Sequence, residues 1–181
     1  MSHARWHRGN TYMELQSGDE LTASADGSER GMSQSGEGKY EASFDTGAGG
    51  VEFVVDLQRA DDTSAPNSRG VMPEPFSVTA EDGKRRAEED VLIDWGTGSD
   101  GDMNIVVEGD CIFQFDEDVA DTGSYTIQAG ELDSTGGDMP ESCELKATLT
   151  RTAHGSADAA YDSESSVALR QIRSAQFSSE P

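Results

Sequence analysis

In 181 residues the chain carries 36 acidic side chains against 13 basic ones, a formal charge of -23, with ten arginines and only three lysines (Lys39, Lys84, Lys146). That balance excludes the cationic footprint needed to grip a phosphate backbone or an anionic membrane surface. No stretch approaches the roughly 18 apolar residues that span a bilayer, and the length suits one domain with short arms.

The first eight residues, Met-Ser-His-Ala-Arg-Trp-His-Arg, are basic but lead into no apolar run, so they read as a flexible arm over residues 1–10 rather than a secretory signal. Beside two arginines, His3 and His7 are expected to be solvated rather than ligating. From there the dominant period is two. Residues 11–16 and 20–25 suggest strands about the turn Ser17-Gly18-Asp19. Residues 26–38, rich in Gly, Ser and Glu, read as a loop.

Next, Tyr40, Ala42 and Phe44 alternate with polar residues, and Val51, Phe53, Val55 and Leu57 do the same beyond Thr46-Gly-Ala-Gly-Gly50. This predicts a hairpin of 39–45 with 51–58. Residues 59–75, with Pro66, Pro73 and Pro75, read as a second irregular connection. Short strands are then expected at Phe76–Ala80, Val91–Trp95, Met103–Val107, Cys111–Phe115, Tyr125–Ala129 and Cys143–Leu149. The tail places Val167, Ala168, Leu169, Ile172, Ala175 and Phe177 behind Ser165-Ser166, a spacing that predicts a short serine-capped amphipathic helix, with a final strand as the alternative.

Nine or ten half-polar strands at intervals near ten residues imply an all-β protein, an antiparallel β-sandwich of jelly-roll or immunoglobulin-like type with short N- and C-terminal arms. The expected organisation is an arm over 1–10, a sandwich over 11–153 and a tail over 154–181. Asp121, Gly123 and Tyr125 sit in the run Asp-Thr-Gly-Ser-Tyr, followed by an alternating strand. That run resembles the tyrosine corner of immunoglobulin-like sandwiches, which implies a structural role for the three residues. Antibody domains carry a cysteine two residues after that tyrosine, where this chain has Ile127.

Cys111 and Cys143 fall on the apolar side of their strands, so either one disulfide or two buried thiols would fit, with the thiols favoured slightly. Asp100, Asp102 and Asn104 offer oxygens at alternating positions as calcium loops do. The glycine of such a loop is replaced by Ile105 and no bidentate glutamate stands at its end, so no bound cation or cofactor is expected. There is no nucleophile elbow and no P-loop, and the only histidine outside the N-terminal arm is His154. No catalytic residues are assigned. Carboxylate pairs carry no information in a chain with so many acids.

The composition resembles that of proteins from salt-loving archaea and their viruses. Dense negative charge repels itself in dilute buffer, and molar salt shortens the Debye length to about 3 Å. Such a resemblance implies a structural or assembly component, most concretely a capsid, turret or tail protein of a haloarchaeal virion, with the cytoplasm of a halophile as the alternative location. Its partners would be itself or other structural proteins, with neither nucleic acid nor membrane insertion. Arg5, Trp6 and Arg8 at one end, and Leu169, Arg170, Ile172, Arg173 and Phe177 at the other, are the expected assembly contacts. A binding module using loops 26–38 and 59–75, with Trp95 or Tyr161 as exposed contacts, is the main alternative. A carboxylate hydrolase is a remote one.

Overall fold

The computed structural model describes residues 14–99, 101–136 and 142–181 in full, and the backbone alone of 5–7 and 10–12. The protein is all-β: among the described residues no helix occurs, and the strands assemble into sheets that are antiparallel at all but one pairing of known register. The chain divides into two compact units. One comprises residues 1–72 and 154–169, the other residues 73–153 and 170–181.

In the first unit, β1 (Arg5–His7) and β2 (Asn10–Tyr12) form a hairpin. β3 (Glu20–Ala25) turns into β4 (Ser28–Gly31) through Asp26-Gly27, both at positive φ (49° and 72°). Two central residues at positive φ match the right-handed twist of the flanking strands, and Asp-Gly is the sequence that tolerates them. β5 (Ser33–Gly36) and β6 (Lys39–Glu41) make a third hairpin. β7 (Glu52–Gln58) lies between β3 and β8 (Ala65–Val71), giving the order β4-β3-β7-β8. Ala23, Ala25, Leu57 and Ala65 are buried, and Phe44 meets Phe53 edge to face at 5.8 Å.

Four expectations change here. Residues 39–45 do not pair with 51–58, because β3 and β8 occupy both edges of β7; Phe44 packs on that strand instead of bonding to it. Residues 14–16 are not a strand. The turn at Ser17-Gly18 is closed by the Asp19 carboxylate, which accepts from the Gln16 and Ala60 amides and lies 3.2 Å from Arg59 Nε. Those two amide bonds, with the Arg59 charge, hold the Asp19 carboxyl below the usual carboxylate range. Residues 26–38 contain β4 and β5, and residues 59–75 contain β8. Pro66 is tolerated because β8 lies at the margin of its sheet.

Replacing Gly27 by Ala puts a side chain into open space but into a left-handed backbone, so the substitution isolates the conformational cost. Gly27→Ala should destabilise the protein by about 1 kcal/mol, and Gly27→Asn by much less. Urea midpoints at constant slope would measure both.

The second unit is a sandwich of two sheets. One has the order β10 (Lys84–Arg85), β16 (Ala168–Glu180), β15 (Cys143–His154), β12 (Asp102–Glu108) and β13 (Phe115–Ala120). The other has β14 (Ser124–Ile127), β11 (Val91–Asp94) and β9 (Thr79–Ala80). Alternate residues of each sheet point between them: Val91, Ile93 and Ile127 from one side, and Met103, Ile105, Val107, Leu145, Ala147, Leu149 and Phe177 from the other, all at most 1–2 % exposed. Burying a side chain of this size contributes about 1.5–3 kcal/mol, so this layer supplies most of the unit's cohesion.

Two sequence readings are corrected in this unit. Residues 168–180 form a strand hydrogen-bonded to β15 and β10, not a helix, because the sheet edge beside β15 needs a partner and the odd-numbered face of the segment can fill the core. The sulfurs of Cys111 and Cys143 are joined, their Cα atoms 5.9 Å apart, so these are not free thiols. The strand expected over Cys111–Phe115 begins only at Phe115, and Phe113 is 63 % exposed in the segment before β13.

Candidate functional site

Two arginines are buried in the second unit: Arg86, which donates to the Ser134 and Ser179 hydroxyls, and Arg151, which meets an acid. Arg151 follows Leu145, Ala147 and Leu149 on the inward face of β15, so its guanidinium enters the sandwich and is 2 % exposed. An unpaired cation there would cost several kcal/mol. Asp121, just after β13, meets it: Arg151 Nε lies 2.7 Å from Oδ2 and Nη2 donates to Oδ1 at 3.0 Å. The indole of Trp95 donates to Oδ1 at 2.7 Å, while the amide and hydroxyl of Ser99 donate to Oδ2 at 3.0 and 2.6 Å. Four hydrogen bonds and the Nε ion-pair contact thus converge on one carboxylate. Burial pushes the Asp121 carboxyl up, but the bonds from Arg151, Ser99 and Trp95, with the Arg151 charge, outweigh it and hold the group below its usual range.

The rest of the guanidinium is also committed. Nη1 donates to the Glu74 carbonyl at 3.0 Å, Nη2 to the Thr97 carbonyl at 2.8 Å, and the guanidinium carbon Cζ lies 4.7 Å from the centre of the Phe76 ring. Arg151 therefore ties the segment before β9 and the loop after β11 to the sheet. Two glycines make the close approach feasible. A Cβ on Gly98 would run into the Asp121 carbonyl, and one on Gly123, which has φ +102°, into the Gly96 carbonyl. Outside this knot lies an open recess of about 510 Å³, lined by Glu74, Pro75, Phe76, Ser77 and the Gly96–Ser99 loop.

Chemically, the network is a fastening. A carboxylate that already accepts four hydrogen bonds and is paired with a guanidinium has no lone pair disposed to take a proton from a substrate. The guanidinium, spent on Asp121 and two carbonyls, is not presented to an anion. The open recess is lined by Glu74, by the Phe76 and Trp95 rings, by the hydroxyls of Ser77, Thr97 and Ser99, and by Arg151.

The residues singled out from sequence are distributed as follows. Asp121 is the centre of the network and Gly123 its tight turn. Tyr125 lies on β14 with its ring tilted against Phe115 at 6.4 Å, and burial, with Glu131 and Glu117 nearby, raises its hydroxyl pKa. Asp100 lies outside the described residues, and Asp102 is exposed at the start of β12. Asn104 turns its amide nitrogen to Asp116 and Asp118, at 2.8 and 2.9 Å. Among the described residues no three His, Cys, Asp or Glu side chains gather as metal ligands.

Arg5 and Trp6 lie in β1, where only backbone is described; Arg8 and His3 lie outside the described residues. Of the C-terminal set, Phe177 is in the core at 2 % exposure, and Leu169 packs on Gly70. Arg173 leans over Phe76 at 5.9 Å, while Arg170 and Ile172 face solvent. Phe177 and Leu169 are therefore internal packing residues rather than docking contacts. Trp95, expected as an exposed binding aromatic, is 2 % exposed with its indole nitrogen bonded; Tyr161 is half-buried.

Arg151 was missed in the sequence, although a signal existed: an arginine that continues an apolar alternation must go inside and must find an acid. No protein-family model, curated protein or solved structure matches this chain.

Proposed function

We propose that this protein is a non-catalytic structural subunit of an assembly that works in molar salt, most concretely a capsid, turret or tail component of a virus of a halophilic archaeon. The observation that carries the reading is where the acids lie. Among the described residues, Asp121 is the one buried acid, and the Asp19 side chain is 4 % exposed against Arg59; each sits on an arginine. The remaining described carboxylates lie at or near the surface and outnumber the cations almost threefold.

A surface charged in this way repels itself and its copies in dilute buffer. At molar salt the repulsion is screened within about 3 Å, and subunits can meet. The disulfide fits a particle released from the cell, since disulfides persist where thiols are not kept reduced.

Sedimentation in molar KCl and in dilute buffer tests the reading. Discrete oligomers and a melting temperature that rises with KCl are expected in the first condition, with dissociation or unfolding in the second. A folded monomer with salt-independent melting would remove the proposal and favour a binding module instead.

A further inference from the structure

The outward face of the five-stranded sheet carries a pattern of charge that the fold itself does not use. Since Met103, Ile105 and Val107 of β12 and Leu145, Ala147 and Leu149 of β15 point inward, their neighbours in sequence point out. The registers place Thr150 beside Asn104 and Asn104 beside Asp118, then Thr148 beside Val106 and Val106 beside Asp116. At the β13 margin Asn104 holds the carboxylates of Asp116 and Asp118 through its amide. Neither aspartate meets a cation among the described residues.

On β16, on the far side of β15, the same face presents Arg170 and Ile172, the latter 55 % exposed. Although the chain has a formal charge of -23, Arg170 makes no ion pair among the described residues. The face thus runs from an anionic margin at Asp116 and Asp118, through a middle whose centre is Asn104, Val106, Thr148 and Thr150 and whose ends carry Asp102, Glu108, Glu144 and Lys146, to Arg170 and Ile172 on β16.

A surface with opposite charges at its two margins is complementary to itself after a half-turn, the condition for an isologous contact. We propose that this face is the contact between two copies of the chain, paired about a twofold axis, with the β16 margin of each copy over the β13 margin of the other. The proposal rests on the assembly reading above and names the surface that reading would use. Four strands about 4.8 Å apart and seven residues long cover about 450 Å² per copy. That is below the roughly 800 Å² of a standard interface, so the pairing is weak in isolation and suits a subunit held by several contacts.

Charge reversal tests it. In molar KCl, up to millimolar protein, the wild type should show a monomer–dimer equilibrium by sedimentation. Asp118→Arg and Arg170→Asp should each raise the dissociation constant about tenfold, since each sets like charges opposite one another twice. An equimolar mixture of the two variants should recover dimer as the heterodimer, in which both opposed pairs are restored. Ile172→Asp should abolish pairing and leave melting unchanged.

If the wild type associates and all three variants associate equally well, the face is wrong and the assembly reading stands. If the wild type stays monomeric throughout, both fall. Failure of the mixture to recover overturns the twofold arrangement.

Discussion

Asp121→Asn should destabilise the protein by about 3–5 kcal/mol, because it leaves the buried Arg151 guanidinium without its counter-charge. For a chain of this size that is a fall of order 10 °C in the melting temperature. The amide cannot reproduce the carboxylate: the Arg151, Trp95 and Ser99 groups all donate, and an asparagine offers one acceptor oxygen and two donors. An exposed control, Asp116→Asn, should stay within about 0.5 kcal/mol. Equal shifts for the two variants would remove the network from its central place.

Acid should act in the same direction. The folded-state pKa of Asp121 is depressed, so its contribution is present above the unfolded carboxylate value near 4 and is lost as pH falls through the lower folded value. The gap between wild type and Asp121→Asn should therefore narrow on acidification. The double variant Asp121→Leu/Arg151→Met removes both charges at once. It should recover much of the lost stability, since an apolar pair of similar volume often replaces a buried ion pair at little cost. If it melts as low as the single variant, packing rather than charge holds the loop.

The class of fold was legible in the sequence because alternation is a local property. β7, β11, β12, β14 and β15 fall close to their expected places, each with apolar residues in one phase. Pairing is not local. Lys39–Glu41 and Glu52–Gln58 are strands as expected, but their partners are β5 and β3 with β8, chosen by the whole unit rather than by the glycine-rich link.

β4 and β5 were hidden by composition, since Ser, Gly, Glu and Arg rarely announce a strand, although Asp26-Gly27 is a strong hairpin signal. β16 was hidden for the opposite reason. Its inward face runs Gln171, Arg173, Ala175, Phe177, Ser179, too polar to show a period of two, while Leu169, Ile172 and Ala175 imitate a helical stripe. At the site, Asp121 was visible but its partner was not, because Arg151 lies thirty residues away and only the sheet brings them together. One consequence is practical. Truncation at residue 165 removes a sheet strand and Phe177 from the core, so it unfolds the protein rather than testing an assembly arm.

Removing the Cys111–Cys143 link should cost about 3–4 kcal/mol, the loop-closure entropy of a chain segment whose ends lie 32 residues apart. The segment contains β13, β14 and the Asp121 turn, so its freedom in the unfolded chain is the freedom of the elements that carry the buried network. Native packing at the link has a second anchor. Cys111 is 6 % exposed and its carbonyl accepts from the Thr135 amide at 3.0 Å, which should keep the turn in place after reduction. The expected result for Cys111→Ala/Cys143→Ala is therefore a lower urea midpoint with the same folded spectrum. Reductant added to the wild type should reproduce that shift and leave the double variant unmoved. A wild type whose midpoint ignores reductant would mean that the turn's own contacts hold it and that the covalent link constrains little. A double variant that fails to fold would mean that the link is needed to set β13 and β15 on the two edges of β12.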